Sequence, residues 1–412
     1  MTSGPPLKLT RPTGEPWVNP STWWPDLTAA TRHLDAPVGV LAVEALAANA
    51  FDLLDRADGM PIRVASKSVR VRGVVDAVLA LPGYRGILAY TLAEALWLAE
   101  TDTSDDIVVG YPTTDRSALA RLAADDKLAS RVTLMIDDVA QLDLVDAVVA
   151  PAKRAVIRVA IELDASYKSR ALGHVGVRRS PIYTPAAAEA LAEAVIARRG
   201  FRLVGMMAYE AQIAGVTNAG PRKAAIRGMQ RASARELSRR RGEAVRRVRE
   251  VAELEFVNGG GTGSIETTRA DASVTEVAAG SGLFGPHLFD GYTRFHPAPA
   301  ASFGLDVVRR PTADIATLLG GGWIASGPPG PDRSPKVAWP AGLRMLAREA
   351  AGEVQTPLRG AAARDLEIGD RVWLRHTKAG EISEHLDTFA LVQGGKVVGE
   401  LPTYRGEGKV FL

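Results

Sequence analysis

The chain has 412 residues, long enough for two domains, and its 46% hydrophobic and 24% charged residues are the balance of an ordinary globular protein. A formal net charge of +3 and a pI near 9.1 are too mild to argue for nucleic acid, and the absence of cysteine excludes disulfides and thiolate metal sites. The opening stretch MTSGPPLKLTRPTGEPW lacks the apolar core of a signal peptide, and no run reaches the length of a transmembrane helix, so a cytoplasmic location with no membrane partner is expected.

The first patterned unit is VGVLAVEALAANAFDLLDRA, residues 38–57, a strand followed by a helix. Eight further apolar runs of strand type follow: 62–66, 86–90, 106–111, 132–137, 155–163, 202–209, 254–259 and 273–280. Ala/Leu-rich runs of helical period lie between most of them, and the link after the seventh is short and less clearly helical. Eight such units predict an α/β protein built on a (β/α)8 barrel; a doubly wound sheet is the competing architecture. The extra strand at 38–42 then belongs to a second domain or docks on the barrel. The segment 221–251 is rich in arginine without interleaved aromatics, which reads as a solvated outer helix and not as a nucleic-acid contact.

After about residue 291 proline and glycine become frequent, and the last stretch reads as short strands with glycine turns. The expected domains are an N-terminal segment 1–32 joining the β domain, a barrel over 33–290 and a C-terminal β domain over 291–412.

Two stretches carry chemistry. In PIRVASKSVR, residues 61–70, Lys67 ends the first barrel strand, on the face where barrel active sites lie. In FVNGGGTGS, residues 256–264, Gly260, Gly261, Thr262 and Gly263 follow the seventh strand. No Gly-Lys-Ser/Thr follows, so this is not a Walker loop, and Ser264 stands where a dinucleotide fingerprint needs its third glycine. The eighth strand runs into a second such loop through Gly280 and Ser281, and barrels frequently bind phosphate after strands seven and eight. Tyr209 closes the sixth strand on the same face. A strand-end lysine opposite a phosphate loop describes a barrel holding pyridoxal 5'-phosphate, with Lys67 forming the Schiff base.

These segments resemble the fold-type III pyridoxal-phosphate enzymes, the alanine-racemase-like barrels, and among them the D-threonine aldolase and D-serine dehydratase branch. RVASK resembles the branch's Arg-x-x-x-Lys, which implies the Schiff-base role for Lys67 and brings Arg63 with it. LVGMMAYEAQ, NGGGTGS and VTEVAAGS resemble its tyrosine segment, its phosphate loop and the loop after strand eight. The resemblance implies a pyridoxal-phosphate-dependent lyase, of aldolase or dehydratase type, acting on β-hydroxy-α-amino acids of D configuration at Cα. It also implies a homodimer with shared active sites. An amino-acid racemase of the same fold, with Tyr404 as its second acid–base group, and a non-catalytic carrier of the cofactor are the alternatives.

The sequence departs from the branch twice. A His-x-Cys or His-x-Asp pair that binds a divalent metal is expected in GDRVWLRHTKAGE; here His376 is kept and Lys378 stands in the second place. An ammonium cannot ligate a metal, so a metal-free site is expected, with His376 as base and Lys378 as fixed charge. His376 with Glu381 or Asp387 is the alternative ligand set, and Glu384 and His385 lie nearby. The second departure is HVGVRR, where related barrels carry Arg-x-Gly toward the cofactor and this chain has His174.

Overall fold

The computed structural model describes residues 6–220, 223–328 and 330–412. The first five residues of the opening stretch and residues 221–222 of the arginine-rich segment lie outside that range. The chain divides into two compact units. One comprises Met1–Asp52, Ser68–Val78 and Gly280–Val410, the other Leu53–Lys67, Leu79–Ala279 and Phe411–Leu412.

The second unit is a closed parallel barrel of eight strands: Ile62–Ala65, Tyr84–Ala89, Ile107–Val109, Val132–Ile136, Ile157–Glu162, Phe201–Ala208, Phe256–Gly259 and Glu276–Ala279. Each falls within or overlaps one of the eight apolar runs. Most are buried on both faces, which is why they read as continuous apolar runs and not as alternating ones. Closure comes from the eighth strand, where Val277 pairs with Ile62 and Ala279 with Val64.

The helices between them start on side-chain caps. Thr91 accepts from the Glu94 N–H, Asp115 from Ala118 and Thr184 from Ala187, while Asp138 and Gln141 form a reciprocal capping box. The weakly helical link after the seventh strand is the five-residue helix Ile265–Arg269.

The N-terminal end of the barrel is filled by charge. Arg63 is 1% exposed, and its Nε and both Nη atoms donate to Glu276 and Asp106 at 2.6–3.0 Å; Asn258 Nδ2 also donates to Glu276 at 2.8 Å. Burial pulls the guanidinium pKa down, but the two carboxylates outweigh it and the net shift is upward. Val108, Met135, Ala160, Val204, Met207 and Phe256 form a hydrophobic cluster in the same unit.

The other unit is built on a sheet of nine strands. Its longest strand, Ala301–Thr312, pairs with Val38–Ala42, with Ile315–Leu319 and with Arg371–Arg375. The extra strand at 38–42 is thus a member of this sheet. It also pairs with Thr388–Gln393, which returns as the hairpin strand Lys396–Pro402 through Gly394 and Gly395. Both glycines have φ near +60°, as a two-residue turn of that hand requires. The helix Pro20–Ala30 joins the same unit: Trp373 Nε1 donates to Thr28 Oγ1 at 2.8 Å and Trp24 packs on Trp373.

Candidate active site

Lys67 follows the first barrel strand in a single tight turn, Ser66–Ser68, which Ser66 Oγ pins to the Leu88 carbonyl at 3.2 Å. The lysine is half-buried, and its Nζ donates to the Tyr111 hydroxyl at 3.0 Å. Tyr111 comes just after the third strand and Tyr209 just after the sixth. The Arg179 guanidinium lies 5.9 Å from the Tyr111 ring and 6.0 Å from the Tyr209 ring. Desolvation, then Tyr111, pushes the Tyr209 phenol up to about 12, against the pull of Arg179, so it remains a neutral hydrogen-bond donor.

The glycine loop follows the seventh strand. Gly260 sits at φ +78°, and a Cβ there would meet Thr268 Oγ1 at 2.7 Å, so this position needs glycine twice over. Gly261 is not in the left-handed region; its crowding comes from Ala214 and Tyr209, 3.2 and 3.3 Å from where a Cβ would lie. The Gly260 N–H donates to Glu210 Oε2 at 3.0 Å and the Gly261 N–H to Ser264 Oγ at 3.2 Å. Glu210 is buried, hydrogen-bonds Thr268 Oγ1 and lies 3.6 Å from Arg241, which pairs with Asp271 at 2.8 Å. From the outside, Arg56 donates to the Thr262 carbonyl at 2.6 Å and to Glu266 at 2.8 Å. The loop is therefore braced by buried charge and is not a loose surface turn.

Three carboxylates gather where the fourth and fifth strands end: Asp137, Glu162 and Asp164, all buried. Burial, then Asp137, drives Glu162 up to about 7, and Arg179 offsets this in part. Desolvation also raises Asp137, against a hydrogen bond from Gln141.

In the sheet unit His376 directly follows the strand Arg371–Arg375 and is 1% exposed. Phe284 meets its ring edge to face, and among the described residues neither ring nitrogen makes a well-formed hydrogen bond. Burial lowers its pKa, against the weaker pull of Glu381. Such an orphaned imidazole could take a metal, but the neighbouring donors do not complete a site. The Glu381 carboxylate accepts the backbone N–H groups of Thr377, Lys378 and Ala379 at 2.9, 2.6 and 2.7 Å. Asp387 is exposed and pairs with Arg405 at 3.1 Å, Glu384 pairs with Arg70 at 2.5 Å, and His385 stacks on Trp323. Among the described residues no group of three or more His, Asp or Glu is placed to hold a metal ion. Lys378 is half-buried in the same turn.

The structure thus brings Lys67, Tyr209 and the 260–263 loop together on one barrel, with Gly280 and Ser281 directly after its eighth strand. Arg63 belongs to the paired cluster near the strand starts. Sequence reasoning missed Tyr111, Asp137, Glu162, Arg179 and Glu210. Tyr111 and Asp137 end their apolar runs as Lys67 and Tyr209 do, so the strand-end rule could have found them. His174 lies in a small hairpin, Tyr167–Ser169 with Gly173–Val175, and Arg179 beyond it is the arginine that faces the two tyrosines.

Residues 41–287 match the family described as alanine racemase, N-terminal domain. No curated protein matches the chain. Among solved structures it is similar to D-threonine aldolase from Filomicrobium marinum, with TM-score 0.76 and 20% identity over 90% of this chain and 96% of that one. It is also similar to D-threo-3-hydroxyaspartate dehydratase from Delftia sp. HT23, with TM-score 0.72 and 19% identity over 92% and 98%. Alanine racemase from Corynebacterium glutamicum is more distant, with TM-score 0.54 and 16% identity over 82% and 90%. At these identities the likenesses speak for the fold, and the match over more than half the chain speaks for the family: the chain belongs to the alanine racemase N-terminal-domain family, the fold-type III pyridoxal-phosphate barrels.

Proposed function

We propose that this protein is a pyridoxal-phosphate-dependent lyase acting on β-hydroxy-α-amino acids of D configuration at Cα, by aldol cleavage or by dehydration. The observation that carries the reading is Lys67 Nζ held against Tyr111 at the end of the first strand, in the same barrel as a braced glycine loop after the seventh. When bound, the cofactor supplies an electron sink for the bond broken at or beside Cα.

Lys67 is the covalent anchor and the amine that moves the Cα proton. The loop Gly260, Gly261, Thr262 and Gly263, with Gly280 and Ser281 after the eighth strand, is proposed to meet the phosphate. Gly260 and Gly261 give the loop its shape. Tyr209 borders the cofactor as a phenol, and Arg179 takes the place in which the family carries an arginine. Arg63 acts beneath the site, as part of the barrel's paired charge, and not as a cofactor contact.

His376, kept neutral by burial, is the base for the β-hydroxyl, and Lys378 supplies fixed positive charge in place of a divalent ion. The racemase alternative, with Tyr404 as its second acid–base group, would give an inverted amino acid as product. The β unit argues against a bare carrier. We further propose a homodimer in which each site is completed by the partner, in the cytoplasm; no helix of the described residues is long and apolar enough to cross a membrane.

Incubation with D-threonine, L-threonine and D-serine tests the reading. Glycine plus aldehyde, or keto acid plus ammonia, supports it; an inverted amino acid or no product with any of the three overturns it. Sedimentation of the active protein as a strict monomer would overturn the shared-site dimer.

A further inference from the structure

The fifth barrel strand ends in Ile-Glu-Leu-Asp, residues 161–164. After the small hairpin the chain folds back on this end. Ser180 Oγ donates to the Glu162 carbonyl at 2.6 Å, and the Asp164 N–H donates to the Ile182 carbonyl at 2.8 Å. These two bonds fix the backbone beside Arg179 and leave its guanidinium lying toward Tyr111 and Tyr209.

The groups that face Glu162 are Asp137, Asp164 and Arg179. Asp137 accepts Gln141 Nε2 at 2.7 Å, and Asp164 accepts both the N–H and the hydroxyl of Ser166 at 2.8 and 2.9 Å. The Glu162 carboxylate, only 6% exposed, has no hydrogen bond among the described residues, and neither has the exposed Arg179 guanidinium. A buried carboxylate among like charges is costly unless a cation answers it. Arg179 is the cation that does so here, and its backbone is tied to the strand that carries the acid.

We propose that Glu162 is a positioning residue for the cofactor site, acting through Arg179: its carboxylate holds the guanidinium over Tyr111 and Tyr209, facing the group bound at Lys67. The inference rests on the pyridoxal-phosphate reading above. Burial and Asp137 raise the acid to about 7, so its hold on Arg179 strengthens as the pH rises through neutrality.

The test is titration of apoprotein with pyridoxal 5'-phosphate, followed by absorbance, at pH 6 and pH 8. It compares the parent, Glu162→Gln, Glu162→Asp, Arg179→Gln and the Glu162→Gln/Arg179→Gln pair. Each single Gln variant is expected to bind several-fold more weakly at pH 8. The pair should be no worse than Arg179→Gln alone, the Glu162→Gln loss should shrink at pH 6, and Glu162→Asp should recover part of it. Additive losses, a loss equal at the two pH values, or no loss would overturn the proposal. Should Glu162→Gln not fold, Arg179→Gln in the parent carries the test: the parent binds more tightly at pH 8 than at pH 6 by a margin that Arg179→Gln abolishes, and a margin that survives overturns the proposal. Borohydride reduction of the parent complex keeps the two readings apart. An adduct on Lys67 with unaffected variants sinks only the role of Glu162, whereas a parent that takes no cofactor sinks both.

Discussion

The two ends of the barrel treat charge in opposite ways. Near the strand starts, Arg63 is enclosed and every guanidinium nitrogen is answered by Glu276 or Asp106. Near the strand ends, Glu162 is also buried but its carboxylate has no hydrogen bond among the described residues, and Lys67 Nζ donates to the Tyr111 hydroxyl. The first arrangement holds strands one and eight together where the barrel closes. The second leaves charge available to a ligand. Burial alone does not separate structural from functional charge; the completeness of pairing does.

The contrast can be broken in order of effect. Lys67→Ala is expected to abolish the covalent chromophore, with no lysine adduct after borohydride reduction, as read by absorbance and peptide mass; an adduct on another lysine would move the site. Arg63→Met removes the cation and leaves Glu276 buried without its partner. It should lower the unfolding free energy by about 3–5 kcal/mol in urea titration. A loss under 1 kcal/mol would mean that this end is not a structural plug.

The acid end should show itself through pH. Glu162 binds its proton more tightly in the fold, at about 7, than in the unfolded chain, at 4.5. Its contribution to stability is therefore fully present below pH 4.5 and is lost as the pH rises through 7, a change on the order of 3 kcal/mol. The apoprotein stability curve of Glu162→Gln should be flatter over that window, and an unchanged slope would refute the assignment. Gly260→Ala, at φ +78° against Thr268, should cost on the order of 1–2 kcal/mol and loosen cofactor retention. The smallest expected effect is that of exhaustive chelation, which should leave turnover unchanged while Lys378→Ala lowers it. Activity lost on chelation and restored by a divalent salt would return a metal to His376.

Much of the barrel was legible because its strands are buried on both faces and bounded by glycine, proline and caps. The apolar run 155–163 marks the fifth strand wherever it lies in the fold. The strand-end positions of Lys67 and Tyr209 were legible for the same reason: each polar residue closes an apolar run. Arg63 shows the limit. Its place in RVASK suggested the cofactor, but the direction of its side chain depends on the register with strands two and eight, which no local pattern contains.

What the sequence determined by itself was therefore whatever local burial and turn chemistry encode: eight strands, their helices, the glycine loop and the lysine at a strand end. The tertiary structure alone decided which charges meet. Beyond the hairpin at 167–175, Arg179 is the arginine that faces Tyr111 and Tyr209; pairing of the fourth and fifth strands sets Glu162 beside Asp137, and barrel closure sets Glu276 against Arg63. Pairing between residues tens or hundreds of positions apart is a property of register and closure. The same carboxylate is a plug at one end of a barrel and a poised acid at the other according to what the fold sets against it.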